Sequence, residues 1–227
     1  MPRAISFLLY LGAFTVYAYS AYYTMYHVET PKDEPDLAYA GKAKYLTHWN
    51  LCLCVFYFGL CLAATLVPLK CLRGLRDYIF CSVSLPSCIF VTTTFWALYA
   101  YDRELIFPKR LGHLYPDWLN HCSHTLITVT AIGEAFLHKP KVPSKFGGLV
   151  GALAWLAVYQ VWVLYLGILK GVWVYPLLRR LSAPALTAYF AVSLSFLMLL
   201  HMACNALLRC RNRRLRKDSD TQFRKII

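Results

Sequence analysis

Residues 51–67 read Leu-Cys-Leu-Cys-Val-Phe-Tyr-Phe-Gly-Leu-Cys-Leu-Ala-Ala-Thr-Leu-Val, without a single charge. A surface helix in water would show polar residues every three to four positions, and a barrel strand would alternate inward and outward residues. This run does neither, so all its faces meet apolar surroundings. Extended to 45–69, it has the length that crosses a bilayer core as a helix. Five further blocks of the same kind run over 4–24, 78–101, 119–137, 147–169 and 183–208. The fold expected is an all-α integral membrane protein, a bundle of six transmembrane helices.

Composition agrees. The chain is 59% hydrophobic and 15% charged, against roughly 45–50% apolar in soluble domains. The connections hold most of the prolines, including Pro31, Pro35, Pro108, Pro116, Pro140 and Pro143, and none is long enough for a soluble domain. The chain therefore divides into a membrane domain over 1–208 and a basic cytoplasmic tail over 209–227. Pro86 lies inside the third block, where a missing backbone donor should kink the helix. Arg3 before the first apolar run, with small residues at Ser20 and Ala21, also fits a secretory signal whose removal would leave five spans. Of nine cysteines, Cys52, Cys54, Cys61, Cys81, Cys88, Cys122 and Cys204 fall within apolar blocks and read as small packing residues. Cys71 and Cys210, at block ends, suit lipidation.

With six spans, the N-terminus, the second and fourth connections and the tail share one side and carry 15 Lys and Arg against 9 opposite. Basic residues concentrate in the cytoplasm, which places both termini there. The tail alone decides this, since without it the count is 7 against 9. A basic cluster beside a span reads as attachment to anionic lipid rather than to nucleic acid. Arg224, Lys225, Ile226 and Ile227 look like a degenerate dilysine retrieval signal, which points to the endoplasmic reticulum, with the plasma membrane as the alternative.

Polar groups inside spans are costly and usually functional. The second block opens with Thr47, His48 and Asn50, the fourth with Asn120, His121, Ser123, His124 and Thr125, and Glu134 lies farther along the fourth. Residues three apart share a helix face, which groups Thr47 with Asn50 and His121 with His124. Both blocks start from the same side, so Thr47 and His124 reach similar depth. Imidazole can take a proton from a hydroxyl nucleophile. Residue types alone favour the plainer reading, a Thr47 hydroxyl bonded back to its own helix with the histidines joining helices. His121 and His124 also suggest zinc ligation with His48, His138, His201 or Glu134, although Glu134 lies about 15 Å along the helix from His124.

Four segments carry a resemblance: Lys44-Tyr45-Leu46-Thr47 with Asn50; Tyr101-Asp102-Arg103-Glu104-Leu105-Ile106-Phe107-Pro108-Lys109; Trp118-Leu119-Asn120-His121-Cys122-Ser123-His124-Thr125; and Trp173-Val174-Tyr175-Pro176. Together they resemble the androgen-induced gene family across all six blocks. The resemblance implies an intramembrane threonine hydrolase that cleaves fatty acid esters of hydroxy fatty acids without a cofactor. It implies Thr47 as nucleophile and His124 as base, with His121 in support, and it displaces the metal reading. Asn50, Asn120 and Ser123 are candidate oxyanion donors. Two departures are a short second connection and Val142 where the family usually has tyrosine.

The substrate is expected to enter from the bilayer, and the site to open toward the first, third and fifth connections. Arg103 or Lys109 suit the substrate's free carboxylate, although Asp102 and Glu104 beside them favour a local salt-bridged loop. A non-catalytic membrane regulator or scaffold is the competing reading, and a transporter is a third.

Overall fold

The structure, a computed structural model, describes residues 3–29, 39–67 and 69–226, the side chains of 219–226 excepted. Pro31, Pro35 and the side chains of 224–227 lie outside the described residues. Among those described, all regular structure is helical and no strand forms.

The main helices are α1 (Arg3–Tyr26), α2 (Leu46–Leu66), α3 (Lys70–Ile79), α4 (Leu85–Asp102), α5 (Asp117–His121), α6 (Ile127–Leu137), α7 (Lys145–Leu164), the short α8 (Pro176–Arg179) and α9 (Ala183–Ile226). π-helical turns at Phe80–Ser84 and Cys122–Leu126 join α3 to α4 and α5 to α6, and a third, Tyr165–Leu169, ends α7.

Five helical stretches are long and apolar enough to cross a membrane: Arg3–Tyr26, Leu46–Leu66, Lys70–Leu105, Lys145–Leu169 and Ala183–Asp218. They match five of the six expected blocks. The remaining block, 119–137, is helical throughout but is divided by its π turn into α5 and α6, and it is not among the five.

The first helix packs along α2, where the Tyr17 and Phe58 rings stack at 5.7 Å and 17°. A Cβ on Gly59 would meet the Phe14 ring at 3.3 Å, so glycine there permits the close approach. The last helix packs on α4 and α7. Cys54, Cys61, Cys81, Cys88 and Cys204 are buried as expected. Cys52 is a correction, for it faces outward, and Cys122 is half-buried. Cys52 falls on a helix face that the bundle does not cover.

Polar pairs lock the interior. Tyr10 on α1 and Tyr57 on α2 both donate to Glu134 Oε1 on α6, at 3.1 and 3.0 Å. Asn50 on α2 accepts from Ser87 on α4 at 2.9 Å, and Ser87 accepts from Trp155 on α7 at 3.1 Å. In an apolar interior each such group needs its partner.

Pro86 does not break its helix. A π turn precedes it, and the last helix supplies donors to carbonyls that this stretch leaves without a regular α partner. Asn205 Nδ2 donates to the Cys81 carbonyl at 3.0 Å, and His201 bonds the Ser82 carbonyl. At the opposite end from Thr47, Asp77 accepts from Arg76 at 3.0 Å, and His138 Nε2 lies 3.0 Å from the same carboxylate oxygen and 2.7 Å from the Arg76 guanidinium. There Arg209 and Arg211 donate to the carbonyls of Pro143 and His138. Arg209 to Asn212, the start of the basic segment, is therefore docked on the bundle as a continuation of α9.

Candidate functional site

Thr47 stands in the first turn of α2, just after Tyr45, whose extended backbone begins the helix. The first amides of a helix have no partner within it and carry partial positive charge, so Thr47 lies at the electropositive end of α2. His124 comes from the π turn between α5 and α6. The two side chains meet, with Thr47 Oγ1 3.0 Å from His124 Nε2.

The other imidazole nitrogen fixes how this contact works. His124 Nδ1 lies 3.0 Å from the Asn120 carbonyl, which can only accept. Nδ1 therefore carries the proton, and Nε2 is left as an acceptor facing the threonine hydroxyl. The Phe95 ring stacks on the imidazole at 3.5 Å and 13°, and Trp96 Nε1 donates to the His124 carbonyl at 3.2 Å. His124 is 6% exposed and held from three directions. A neutral imidazole so fixed against a hydroxyl can serve as a general base.

The pair lines a largely apolar cavity of about 200 Å³. Leu46, Leu51, Val91 and Phe95 form part of its wall, and the first, third and fifth connections cover it with Lys42, Phe107, Arg110, Tyr115 and Tyr175 among others. The three connections named for the opening do surround the site.

The remaining expected residues divide. Asn120 and Ser123 are on the cavity wall, and Ser123 Oγ lies 2.9 Å from the Tyr115 hydroxyl. Asn50 is fully buried in the Ser87 network instead, and off the wall. His121 is also off it: its ring stacks on Trp96 at 5.4 Å, and its Nδ1 meets Thr125 Oγ1 at 3.2 Å. The expectation that His121 and His124 share a face is therefore corrected. A π turn winds fewer degrees per residue than an α turn, and here it sends His124 inward and leaves His121 exposed.

Arg103 and Lys109 do not line the cavity. The Arg103 guanidinium lies over the Tyr99 and Phe107 rings at 5.1 and 5.0 Å and donates to the Phe107 carbonyl at 3.0 Å. Glu104 caps the Lys109 amide at 3.0 Å, so this loop is organised by its own backbone. Among the described residues, no three His, Cys, Asp or Glu side chains group as metal ligands.

Sequence reasoning missed Phe95, Trp96, Tyr115 and Lys42. The aromatic residues have no spacing signal distinct from ordinary core positions. Tyr115 belongs to a connection whose fold over the cavity is not periodic.

A family model described as FAR-17a/AIG1-like protein matches residues 5–209. The chain is 34% identical over 199 residues to the human androgen-dependent TFPI-regulating protein, covering 83% of this chain and 86% of that protein. It is 31% identical over 195 residues to the human androgen-induced gene 1 protein, covering 78% and 81%. The androgen-dependent TFPI-regulating protein of Rattus norvegicus is 33% identical over 190 residues, covering 79% and 83%. No solved structure matches.

Proposed function

The chain belongs to the FAR-17a/AIG1-like family, and from that premise we propose that it is an intramembrane threonine hydrolase cleaving fatty acid esters of hydroxy fatty acids. The observation that carries this reading is the 3.0 Å contact between Thr47 Oγ1 and the acceptor nitrogen of His124, inside an apolar cavity. The substrate class is the one implied by the resemblance of the four motifs.

In the proposed reaction, Nε2 of His124 takes the hydroxyl proton as Thr47 Oγ1 attacks the ester carbonyl. The imidazolium then gives that proton to the departing hydroxy fatty acid, leaving an acyl-threonine. Water attacks the acyl group and passes a proton to Nε2. Collapse frees the second fatty acid and returns that proton to Thr47. The developing oxyanion needs donors already in place. Asn120 and Ser123, on the wall, suit this role, as do the first amides of α2; Asn50 does not reach it. No cofactor enters the scheme.

The same proposal includes a sixth crossing. From Asp117 to Leu137 the helix counts 21 residues, about 30 Å of rise, which suffices to span a bilayer core. Both termini then face the cytoplasm, the cavity opens on the lumenal or exterior side, and the basic tail over 209–227 meets anionic lipid. The endoplasmic reticulum or plasma membrane is the proposed location.

The acyl-threonine is the step to trap. Acid quenching during turnover, followed by peptide mass spectrometry, should find one fatty acyl group on Thr47. Hydrolysis that proceeds with Thr47 never acylated would exclude the nucleophilic mechanism.

A further inference from the structure

Lys42 is one of two basic side chains, with Arg110, set into the wall of this largely apolar cavity, and its position is specific. Ala40 and Gly41 both adopt left-handed backbone, with φ of 57° and 51°. For alanine this conformation costs about 1–2 kcal/mol, so the turn is imposed by its surroundings. It leads into the 3-10 turn Gly41–Lys44, which places Lys42 on the wall that also carries Thr47 and His124.

Lys42 is half-buried, and its Nζ donates to the Glu29 carbonyl at a long 3.4 Å. Burial lowers its pKa, a desolvation cost that a bound anion would relieve. Arg110, the other cation on this wall, has an interaction of its own. Glu29, whose carbonyl accepts the Lys42 bond, also brings an exposed carboxylate to this wall, and among the described residues no ion pair joins it to Lys42.

We propose that Lys42 forms a carboxylate subsite of this cavity, receiving the free acid end of the lipid whose ester lies at Thr47 and His124. The inference rests on the hydrolase reading for the identity of its ligand. It moves the acid-binding role from Arg103 and Lys109, which lie off the wall, to the first connection. It also gives the site a selection rule: an ester that carries a free carboxylate is held at both ends, and a neutral ester only along its chains.

Binding isolates this claim from turnover. Purified full-length Thr47→Ala protein in neutral detergent is titrated with the palmitic acid ester of hydroxystearic acid and with the methyl ester of that acid. A charge-assisted hydrogen bond predicts about tenfold weaker binding of the methyl ester. Adding Lys42→Ala should collapse that difference to less than about twofold, whereas Lys42→Arg should preserve it. Lys42→Met retains the aliphatic stem and serves if Lys42→Ala fails to fold. Lys109→Ala, off the wall, should keep the full preference.

A phosphate headgroup could meet the same ammonium. Repeating the titration with phosphatidylglycerol in the micelles should leave the acid preference in place. If phosphatidylglycerol abolishes it, the subsite belongs to phospholipid and the proposal is overturned. It is likewise overturned if the preference survives Lys42→Ala and Lys42→Met, or is absent with Lys42 intact. Hydrolysis by the Thr47-intact protein is scored separately. Acid preference through Lys42 without hydrolysis would keep the subsite and remove the hydrolase, and hydrolysis without acid preference would do the reverse.

Discussion

Replacing Phe95 with leucine should slow the chemistry more than the loss of packing explains. The Phe95 ring lies 3.5 Å from the His124 imidazole at 13° and is itself 5% exposed. Aromatic pairs contribute about 0.5–1.5 kcal/mol beyond their buried area, and a volume-similar apolar replacement costs less than about 1.5 kcal/mol in shape. Phe95→Leu should therefore destabilise the fold by about 0.5–3 kcal/mol. The bond from His124 Nδ1 to the Asn120 carbonyl would remain, so the imidazole keeps its tautomer but loses one face of its support. If about 1 kcal/mol of that loss appears as misorientation of Nε2, kcat falls roughly fivefold, with KM little changed. The comparison is Phe80→Leu, which removes a fully buried ring stacked on Tyr57 at 5.4 Å, away from the cavity. Steady-state hydrolysis and thermal unfolding would be measured in one detergent for both variants. Equal losses of stability with a lower kcat only for Phe95→Leu would mark Phe95 as a positioning residue. Equal kcat in both variants would leave Phe95 as packing alone, with no part in orienting His124.

Two other substitutions follow from the same geometry. Thr47→Ser keeps a hydroxyl near Nε2 and should retain partial hydrolysis, whereas Thr47→Val, of similar shape, should reduce kcat by 10³-fold or more on the order of a lost nucleophile–base pair; kinetic assays of both would reveal the error if valine turned over like serine. Tyr57→Phe removes one of the two donors to the buried Glu134 carboxyl and should lower stability by about 1–3 kcal/mol. Because Glu134 lies about 15 Å along the helix from His124, specific activity of the folded fraction should stay near that of the parent, and a parallel collapse of kcat would contradict a purely structural role for this trio.

The long uncharged runs carry the fold because bilayer thickness demands them, and five candidate crossings emerge where the residues place them. Comparing the depths of two blocks lets Thr47 and His124 meet, and the resemblance of the four segments is what singles them out as a pair. What residue types do not encode is local winding. The π turn at Cys122–Leu126 separates His121 from His124 and divides the fourth block into short helices, although its composition resembles that of its neighbours. Asn50 was grouped with Thr47 by spacing, yet one turn of α2 is wide enough for Thr47 to face the cavity while Asn50 reaches Ser87. The roof was least legible. Tyr115 and Lys42 lie in irregular connections, so their place on the wall depends on turns and long-range contacts rather than on periodicity.

Hydrolysis of a branched fatty acid ester by purified protein decides whether Thr47 and His124 are a catalytic pair, with the parent compared against Thr47→Ala and His124→Ala after all three are shown to fold. The parent should turn over the ester, and both variants should lose that turnover. Equal turnover in all three, or none in the parent, would contradict the assignment of Thr47 and His124 as the catalytic pair of a hydrolase.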